Sequence, residues 1–355
     1  MRIIVQATHP AHVHFFRHSI KELKNRGHEI RVFATPKDIT TDLLENYGID
    51  YEMPHKRPKF HFYINSQLKL DYKLYKMAKN FDADVITSVG GTSAAHVSAV
   101  TDARSVVFYD TEHATLQNAI TYPFADVIFT PDCYQGDIGS HQIRYPGYQE
   151  LAYLHPDRFE PDPTILDDID VDEGERLVIM RLVAWGAAHD FGDGGFNDIR
   201  GAVGRLEDVG ARVLITSEAP LPDELERCRI SIPPERIHHL MYYSDLFIGE
   251  SATMATESAV LGTPALFVSS SRRGYTDELE QRYGLVFNFS DKNKQMKALE
   301  KAESILRNYD QKTWEQRRET MLDDKIDTTD VIIAAVEDEY EPEGQVTGWP
   351  GTNAQ

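Results

Sequence analysis

Residues 245–268 read DLFIGESATMATESAVLGTPALFV, and this stretch decides the fold. The apolar runs at 245–249 and 264–268 have the length of buried strands, and residues 252–261 between them predict a helix. Two strands joined through a helix pair in parallel, which is the βαβ unit of α/β proteins. The stretch therefore predicts an open parallel sheet covered by helices.

The start of this predicted helix carries small polar residues. Free backbone amides at a helix N-terminus, together with the helix dipole, suit a diphosphate group. Ser251 and Thr253, with Glu250 directly before them, are therefore candidate nucleotide-binding residues. The alternative is that Ser251 is an ordinary N-cap and that the nearby Glu257 is a surface residue.

The same alternation runs through the rest of the chain. Further strands are predicted at residues 3–7, 29–34, 84–89, 104–109, 127–130, 176–182 and 212–216. Further helices are predicted at residues 12–26, 40–47, 63–80, 92 onwards, 197–209, 276–282, 291–308 and 328–340. This rhythm favours two Rossmann-like domains with parallel sheets that face each other across a cleft. We expect the domains at residues 1–150 and 151–325, a helix at 326–340 that packs back on the first, and a mobile tail at 341–355.

Composition narrows the class of protein. The 355 residues carry a formal net charge of −20, which repels nucleic acid and predicts no nucleic-acid partner. Such a charge is typical of the solvated surface of proteins from salt-loving organisms. The apolar stretches are all of strand length, and no secretory signal is recognised, so we expect a cytoplasmic protein. No strand is followed by Gly-x-Gly-x-x-Gly, which argues against a nicotinamide or flavin dinucleotide.

Three histidines follow the first strand: His9, His12 and His14. A neutral imidazole is a suitable base for an acceptor hydroxyl, which makes His12, and after it His14, candidate catalytic residues. The alternative is that one of them caps the helix and the other packs in the core. Their spacing is awkward for a shared zinc ion, and we predict no metal.

Polar residues also follow other predicted strands. Asp110 and Glu112, with His113, are candidates for a second base or for positioning the acceptor, or form a hydrogen-bonded turn. Arg181 is a candidate for neutralising phosphate, or is an edge-strand arginine with a surface partner. Ser217 and Glu218 line a nucleotide pocket, or form a turn with an N-cap.

Four separated motifs resemble one family, DUF354, which is mainly archaeal and GT-B-like. The motifs lie at residues 1–16, 110–114, 145–154 and 187–190, and the resemblance extends to about residue 335. The family is similar to UDP-N-acetylglucosamine 2-epimerases and to GT-B glycosyltransferases. The resemblance implies a GT-B fold and binding of a UDP-sugar as a donor substrate, without any cofactor.

The resemblance to the epimerases also assigns residues. It implies that Ser251 holds the diphosphate, that Glu257 binds the ribose hydroxyls and that His189 lies near the diphosphate. Among the three catalytic carboxylates of the epimerases, one matches Glu112. The other two are replaced by Gly90-Gly91-Thr92 and by the segment at residues 118–122. Since epimerisation needs those acids and bases, their loss argues against it.

Residues 55–79 are basic in an acidic chain. The segment combines Lys and Arg residues with interleaved Phe, Tyr, Ile and Leu residues, and Asp71 is its acidic residue. One interpretation is a basic helix face that complements the acidic remainder. The other is peripheral contact with an anionic membrane, near a polyprenyl-linked acceptor.

These observations favour a metal-independent glycosyltransferase that uses a nucleotide sugar, with UDP as the expected nucleotide. Its expected acceptor is a glycan or a lipid-linked glycan. Two alternatives stay open at this stage: a UDP-N-acetylglucosamine 2-epimerase, and a non-catalytic subunit that binds a nucleotide sugar.

Overall fold

A computed structural model describes most of the chain. It covers residues 1–35, 39–53, 63–112, 115–169, 171, 174–183, 196, 198–217 and 220–341, with backbone alone at 63–66 and 115–117. The chain divides into two compact units. The first contains Met1–Arg158 and the segment that begins at Ile326, and the second contains Phe159–Lys325. The first unit thus continues past residue 150, where the sequence placed its end.

Within the described part of the first unit, seven strands form one sheet in the order β3-β2-β1-β4-β5-β6-β7. In chain order they are β1 (Arg2–Ala7), β2 (Glu29–Ala34), β3 (Tyr51–Glu52), β4 (Val85–Val89), β5 (Arg104–Phe108), β6 (Val127–Pro131) and β7 (Gln142–Tyr145). Every pair is parallel. Ile3, Ile4 and Val5 of β1 are at most 1% exposed, as expected for a central parallel strand covered on both faces.

Helices of the first unit connect these strands. They are α1 (Pro10–Asn25), α2 (Thr40–Asn46), α3 (Tyr63–Phe81), α4 (Thr92–Ser98), α5 (Thr115–Thr121), α6 (Leu151–Leu154) and α14 (Thr328–Glu337). The helix α14 packs against α1 and α6. Hydroxyl groups anchor it there, since Thr328 Oγ1 donates to Tyr148 O at 2.7 Å and Thr329 Oγ1 donates to Ala152 O at 2.6 Å.

The second unit has, among its described residues, a five-stranded sheet in the order β12-β11-β10-β8-β9. Its strands are β8 (Arg176–Leu182), β9 (Ala211–Ser217), β10 (Leu246–Gly249), β11 (Ala265–Val268) and β12 (Val286–Phe289), all paired in parallel. Its helices are α7 (Ile165–Asp168), α8 (Ile199–Asp208), α9 (Ile237–Tyr242), α10 (Ala252–Leu261), α11 (Gly274–Glu278), α12 (Lys294–Arg307) and α13 (Gln311–Asp324). The two parallel sheets confirm the predicted pair of Rossmann-like α/β units. In the part of the chain that the structure describes, no helix is long and apolar enough to span a bilayer.

His18 on α1 makes stability sensitive to acid. Burial, reinforced by the nearby charges of Arg17, Arg158 and Lys21, lowers the pKa of His18 to about 4. An unfolded histidine takes up a proton near pH 6.5, whereas the folded one stays neutral, so stability falls as the pH falls below 6.5. We expect His18 to contribute a loss of about 1.2 kcal/mol in unfolding free energy between pH 7 and pH 5.5.

The measurement is urea unfolding of the wild type and of His18→Gln at both pH values. Other titrating groups are common to both proteins, so they cancel in the difference. His18→Gln should show the smaller decrease on acidification. An equal decrease in both proteins would contradict the assignment.

Candidate functional site

The second sheet contains a topological switch point at the ends of β8 and β10. The strand β8 lies between β9 and β10. The connection after β8 leads to β9, whereas the connection after β10 leads in the opposite direction, to β11. In open α/β sheets, ligands bind in the crevice outside the carboxyl ends of the strands at such a point. Gly249 ends β10 and Ser251 begins the connection into α10, which places the predicted nucleotide-binding stretch at the switch point.

Ser251 is the N-cap of α10. Its Oγ accepts a hydrogen bond from Met254 N at 3.2 Å, and its backbone is extended at φ −96° and ψ 114°. The cap satisfies one amide of the first turn, whereas a helix N-terminus presents several. Thr253 follows in that turn and is half-buried. The alternative that Ser251 is an N-cap is therefore confirmed. An N-cap at this position is compatible with an anion bound at the same helix terminus.

Gly249 allows β8 and β10 to approach closely at this edge. A Cβ atom at position 249 would lie 2.7 Å from Arg181 O and 3.0 Å from Arg181 N, so a larger residue would push the strands apart. Arg181 belongs to the internal strand β8, which rules out the edge-strand alternative. Its Nη1 donates to Thr216 Oγ1 at 3.0 Å, next to Ser217 at the end of β9. Arg181 and Ser217 thus share the carboxyl edge with Ser251.

The carboxylate of Glu250 accepts hydrogen bonds from the protein backbone. Its Oε2 accepts from Val183 N at 2.7 Å and its Oε1 accepts from Phe196 N at 3.0 Å. Both carboxylate oxygens are thereby engaged between the end of β8 and the approach to α8. This structural role was not predictable, because residues 183, 196 and 250 are distant in sequence, and the nucleotide contact of Glu250 stays a prediction.

Glu257 lies in the interior of the second unit. It is 5% exposed, and its Oε1 is 2.9 Å from Nε2 of His238 on α9, which is 2% exposed. The alternative of a surface residue is therefore wrong. The pair joins α9 to α10, whereas the ribose contact implied by the resemblance stays a prediction. His238 was not predicted from the sequence, since no spacing or motif links it to Glu257.

Three predicted site residues lie outside the described residues. They are His113, His189 and Glu218. Their assignments stay predictions.

The first sheet has its own switch point, between β1 and β4. Its crevice is bordered by the loops that follow Ala7 and Val89. His9 is the N-cap of α1 and its Nδ1 accepts from Ala11 N at 3.2 Å. His12 Nδ1 lies 3.3 Å from both Thr8 N and Thr8 Oγ1. Because Nδ1 accepts from the Thr8 amide, the neutral ring of His12 carries its hydrogen on Nε2.

His14 is an interior residue. It is 6% exposed, its Nδ1 is 3.1 Å from the hydroxyl of Tyr47, and its ring stacks on Tyr153 with centroids 5.4 Å apart. A base has to reach the acceptor hydroxyl, so this burial favours His12 over His14, and a catalytic role of His14 stays a prediction. The alternative of a packed histidine applies to this position.

Asp110 and Glu112 follow β5 at the same carboxyl edge of the first sheet. Asp110 Oδ1 accepts from Thr111 Oγ1 at 2.9 Å, and Glu112 Oε1 accepts from Gln135 N at 3.1 Å. The strands β1, β4 and β5 are neighbours, so the ends of β1 and β5 are separated by about 10 Å. The structure therefore brings His12 and Asp110 to one edge. Asp110 has the local contact of a hydrogen-bonded turn, whereas Glu112 holds the distant backbone at Gln135.

Three tyrosines, Tyr109, Tyr122 and Tyr134, form a cluster beside Asp110. Tyr109 is 4% exposed and Tyr134 is 7% exposed, and the hydroxyl of Tyr122 is 3.1 Å from that of Tyr134. Burial, with the nearby charges of Asp110 and Glu112, raises the pKa of Tyr109 above its ordinary value. Burial also raises the pKa of Tyr122 and of Tyr134, so the three phenols are protonated at neutral pH.

Two all-parallel sheets with a helix N-terminus at a switch point define a GT-B-type α/β protein. Residues 1–340 match the family described as "Protein of unknown function (DUF354)". The chain belongs to this family. A relative, "Uncharacterized protein MJ0665" of Methanocaldococcus jannaschii, is 23% identical over 279 residues, which are 74% of this chain and 80% of the relative.

Solved structures share the fold at low identity. The UDP-GlcNAc 2-epimerase from Neisseria meningitidis bound to UDP-GlcNAc is 12% identical, with a TM-score of 0.66 over 95% of this chain and 100% of that one. The spinosyn forosaminyltransferase SpnP is 13% identical, with a TM-score of 0.63 over 95% of this chain and 99% of that one. These similarities confirm the predicted GT-B fold.

Proposed function

We propose that this protein is a metal-independent glycosyltransferase. It takes a sugar from a nucleotide donor, with UDP as the nucleotide, and transfers it to a glycan or to a polyprenyl-linked acceptor at an anionic membrane face. The second unit binds the nucleotide, and the first unit supplies the acceptor-side groups.

One observation carries this proposal: the capped N-terminus of α10 lies at the switch point of the second sheet. Backbone amides and the helix dipole at this position stabilise the negative charge of a departing nucleoside diphosphate without a metal ion. Arg181 on the neighbouring strand contributes a fixed positive charge at the same edge. The solved structures with this fold include proteins named for UDP-GlcNAc and for glycosyl transfer, which is consistent with such a ligand.

The loop after β4 favours transfer over epimerisation. The resemblance places an epimerase carboxylate next to Gly90, where this chain has Gly91 with φ +46°. A Cβ atom at position 91 would lie 2.5 Å from Val107 Cγ2, so the local packing is built around a residue without a side chain. Incubation with UDP-N-acetylglucosamine in deuterated water separates the two reactions, because exchange at the carbon next to the anomeric centre would establish epimerisation.

Deprotonation of the acceptor is assigned to the edge that holds His12 and Asp110. The carboxylate of Asp110 can accept a proton. Asp110 is half-buried, and its Oδ1 accepts a hydrogen bond from Thr111 Oγ1. His12 presents Nε2–H in its neutral form, which suits a donor that orients the substrate. In the other tautomer Nδ1–H donates to Thr8 Oγ1 at 3.3 Å, and Nε2 is then free to act as a base.

The test of nucleotide binding uses Ser251→Asp. Aspartate caps a helix as well as serine does, so stability is kept, whereas its charge repels a diphosphate at the same terminus. UDP at about 100 times its dissociation constant should stabilise the wild type by about 2.7 kcal/mol, seen as a raised melting temperature. We expect this shift to disappear in Ser251→Asp.

Asn293→Asp is the matched control. Asn293 is the exposed N-cap of α12 in the same unit, so this variant adds the same charge at another helix N-terminus. It should keep the full UDP shift. A wild type that responds to none of UDP, GDP, dTDP and CMP would overturn the proposed function. UDP binding without turnover on any acceptor would instead indicate a non-catalytic subunit.

A further inference from the structure

The helix α3 is fixed to the first unit by one of its faces. Leu74, Met77 and Phe81 are buried in the core beside β4. On the flank of this face, Asp71 Oδ2 is 2.9 Å from His96 Nδ1, and Gln67 Nε2 donates to Asp71 Oδ1 at 2.7 Å. These contacts hold α3 against α4. The fold therefore fixes the orientation of α3 and of its opposite face.

The opposite face exposes two large apolar side chains. Leu68 is 60% exposed and Tyr72 is 57% exposed. With Lys76 they form a row at a spacing of four residues, about 12 Å long. The Nζ of Lys76 lies 4.7 Å from the centre of the Tyr72 ring. Lys69 and Lys73 form the adjacent row, and we call these five residues the α3 face.

The α3 face carries positive charge without acidic partners. Among the residues that the structure describes, Lys69, Lys73 and Lys76 form no ion pair, and the acidic residue of the helix, Asp71, is held by His96 on another side. Lys79, one turn further, lines a hollow of about 200 Å³ together with Asp82 and Asp102, so it is not counted in the face. The remainder of the basic segment, residues 55–62, lies outside the described residues.

We infer that the α3 face docks on an anionic lipid bilayer. Lysines at the rim of an apolar row contribute about fivefold each to binding of an acidic lipid surface, and a tyrosine ring suits the headgroup region. The net charge of −20 repels nucleic acid and an anionic bilayer alike, so it does not choose between them. The exposed Leu68 and Tyr72 do, because a bilayer offers them an apolar phase and nucleic acid does not. The net charge also repels a second copy of the chain. This inference deepens the proposed function by naming the surface of the chain that meets the membrane, and it rests on that function for the class of acceptor reached at the bilayer.

The test is sedimentation of the full chain with vesicles at about 0.1 M salt, where charges interact over about 10 Å. The vesicles contain phosphatidylcholine alone, or phosphatidylcholine with about one third phosphatidylglycerol. The wild type should bind the anionic vesicles at least tenfold more tightly. The variant Lys69→Gln/Lys73→Gln/Lys76→Gln should bind them about 100-fold more weakly than the wild type.

A matched control separates the α3 face from net charge. Lys24, Lys292 and Lys312 are exposed lysines elsewhere in the chain, so their triple change to Gln has the same effect on net charge. This control should bind as the wild type does. Leu68→Ala should weaken binding roughly tenfold through lost apolar contact. Thermal melting of each variant verifies that it is folded.

Three outcomes would overturn the inference. They are no preference of the wild type for anionic vesicles, equal losses in the α3 and control variants, and binding to an acidic polymer such as DNA as tight as to the vesicles. Vesicle binding is measured without nucleotide, and UDP binding is measured without vesicles. Failure of one proposal is therefore distinguishable from failure of the other.

Discussion

Replacement of Glu250 by alanine should lower the unfolding free energy of the second unit by about 3 kcal/mol. Hydrogen bonds to a charged group contribute about 1.5–3 kcal/mol each, and the carboxylate accepts from two backbone amides. Glu250→Gln should cost about half as much. Its amide oxygen can serve one of the two N–H groups, while its NH₂ group faces the other.

Urea unfolding of the three proteins measures this difference. Glu224→Ala is the control, because Glu224 is an exposed glutamate of the same unit that pairs with Arg200 at 2.9 Å. Exposed pairs contribute little to stability, because water screens their charges. If Glu250→Ala unfolded with the same free energy as Glu224→Ala, the two amide contacts would carry no energy and the assigned role would be wrong.

Replacement of Lys325 by alanine should cost about 3–5 kcal/mol, the largest effect that we expect. Its side chain is 0% exposed and its Nζ lies 2.9 Å from Oε2 of Glu278, whose side chain is 16% exposed. Without Lys325, Glu278 keeps a longer contact with Arg282 at 3.6 Å but loses its buried partner, and breaking a buried pair is strongly destabilising. The cost should therefore exceed that of an exposed lysine by several kcal/mol.

A double-mutant cycle isolates the pair itself. Lys325→Met with Glu278→Leu removes both charges and fills the space with apolar groups, so it should recover most of the stability lost in Lys325→Met alone. Lys297→Ala is the control, since Lys297 and Asp291 form a half-exposed pair on the same unit. Equal losses for Lys325→Ala and Lys297→Ala would show that burial of the Lys325 pair has no energetic consequence.

The strongly apolar elements were predictable from sequence. The strand β8 and the helix α10 have the predicted bounds, because a run such as Leu177–Met180 or a helix closed by Gly262 has a clear local signal. The strands β7 and β12 were missed, since polar residues such as Arg144 and Asn288 interrupt short strands. The helix α13 was missed because its buried residues are Trp314 and Met321 alone.

The site residues that come directly after a strand were predictable from the sequence. The contacts that these residues make with distant segments were not. Ser251 and Arg181 were placed at a sheet edge by the order of elements, and the structure has them there. The partner of Glu257, the backbone contacts of Glu250 and the burial of His14 all depend on which distant segments fold beside them. No local pattern in the chain encodes those neighbours.

The return of the chain to its first unit has a consequence for biosynthesis. Val331, Ile332 and Val336 of α14 are buried in that unit, yet they are translated after the whole of the second unit. At about 5–20 residues per second, the ribosome needs on the order of ten to thirty seconds to make the intervening stretch. During this interval the nascent Rossmann-like half exposes the apolar groove that α14 later fills. Chaperone engagement of the nascent chain should therefore be concentrated in this interval and end when residue 337 leaves the exit tunnel.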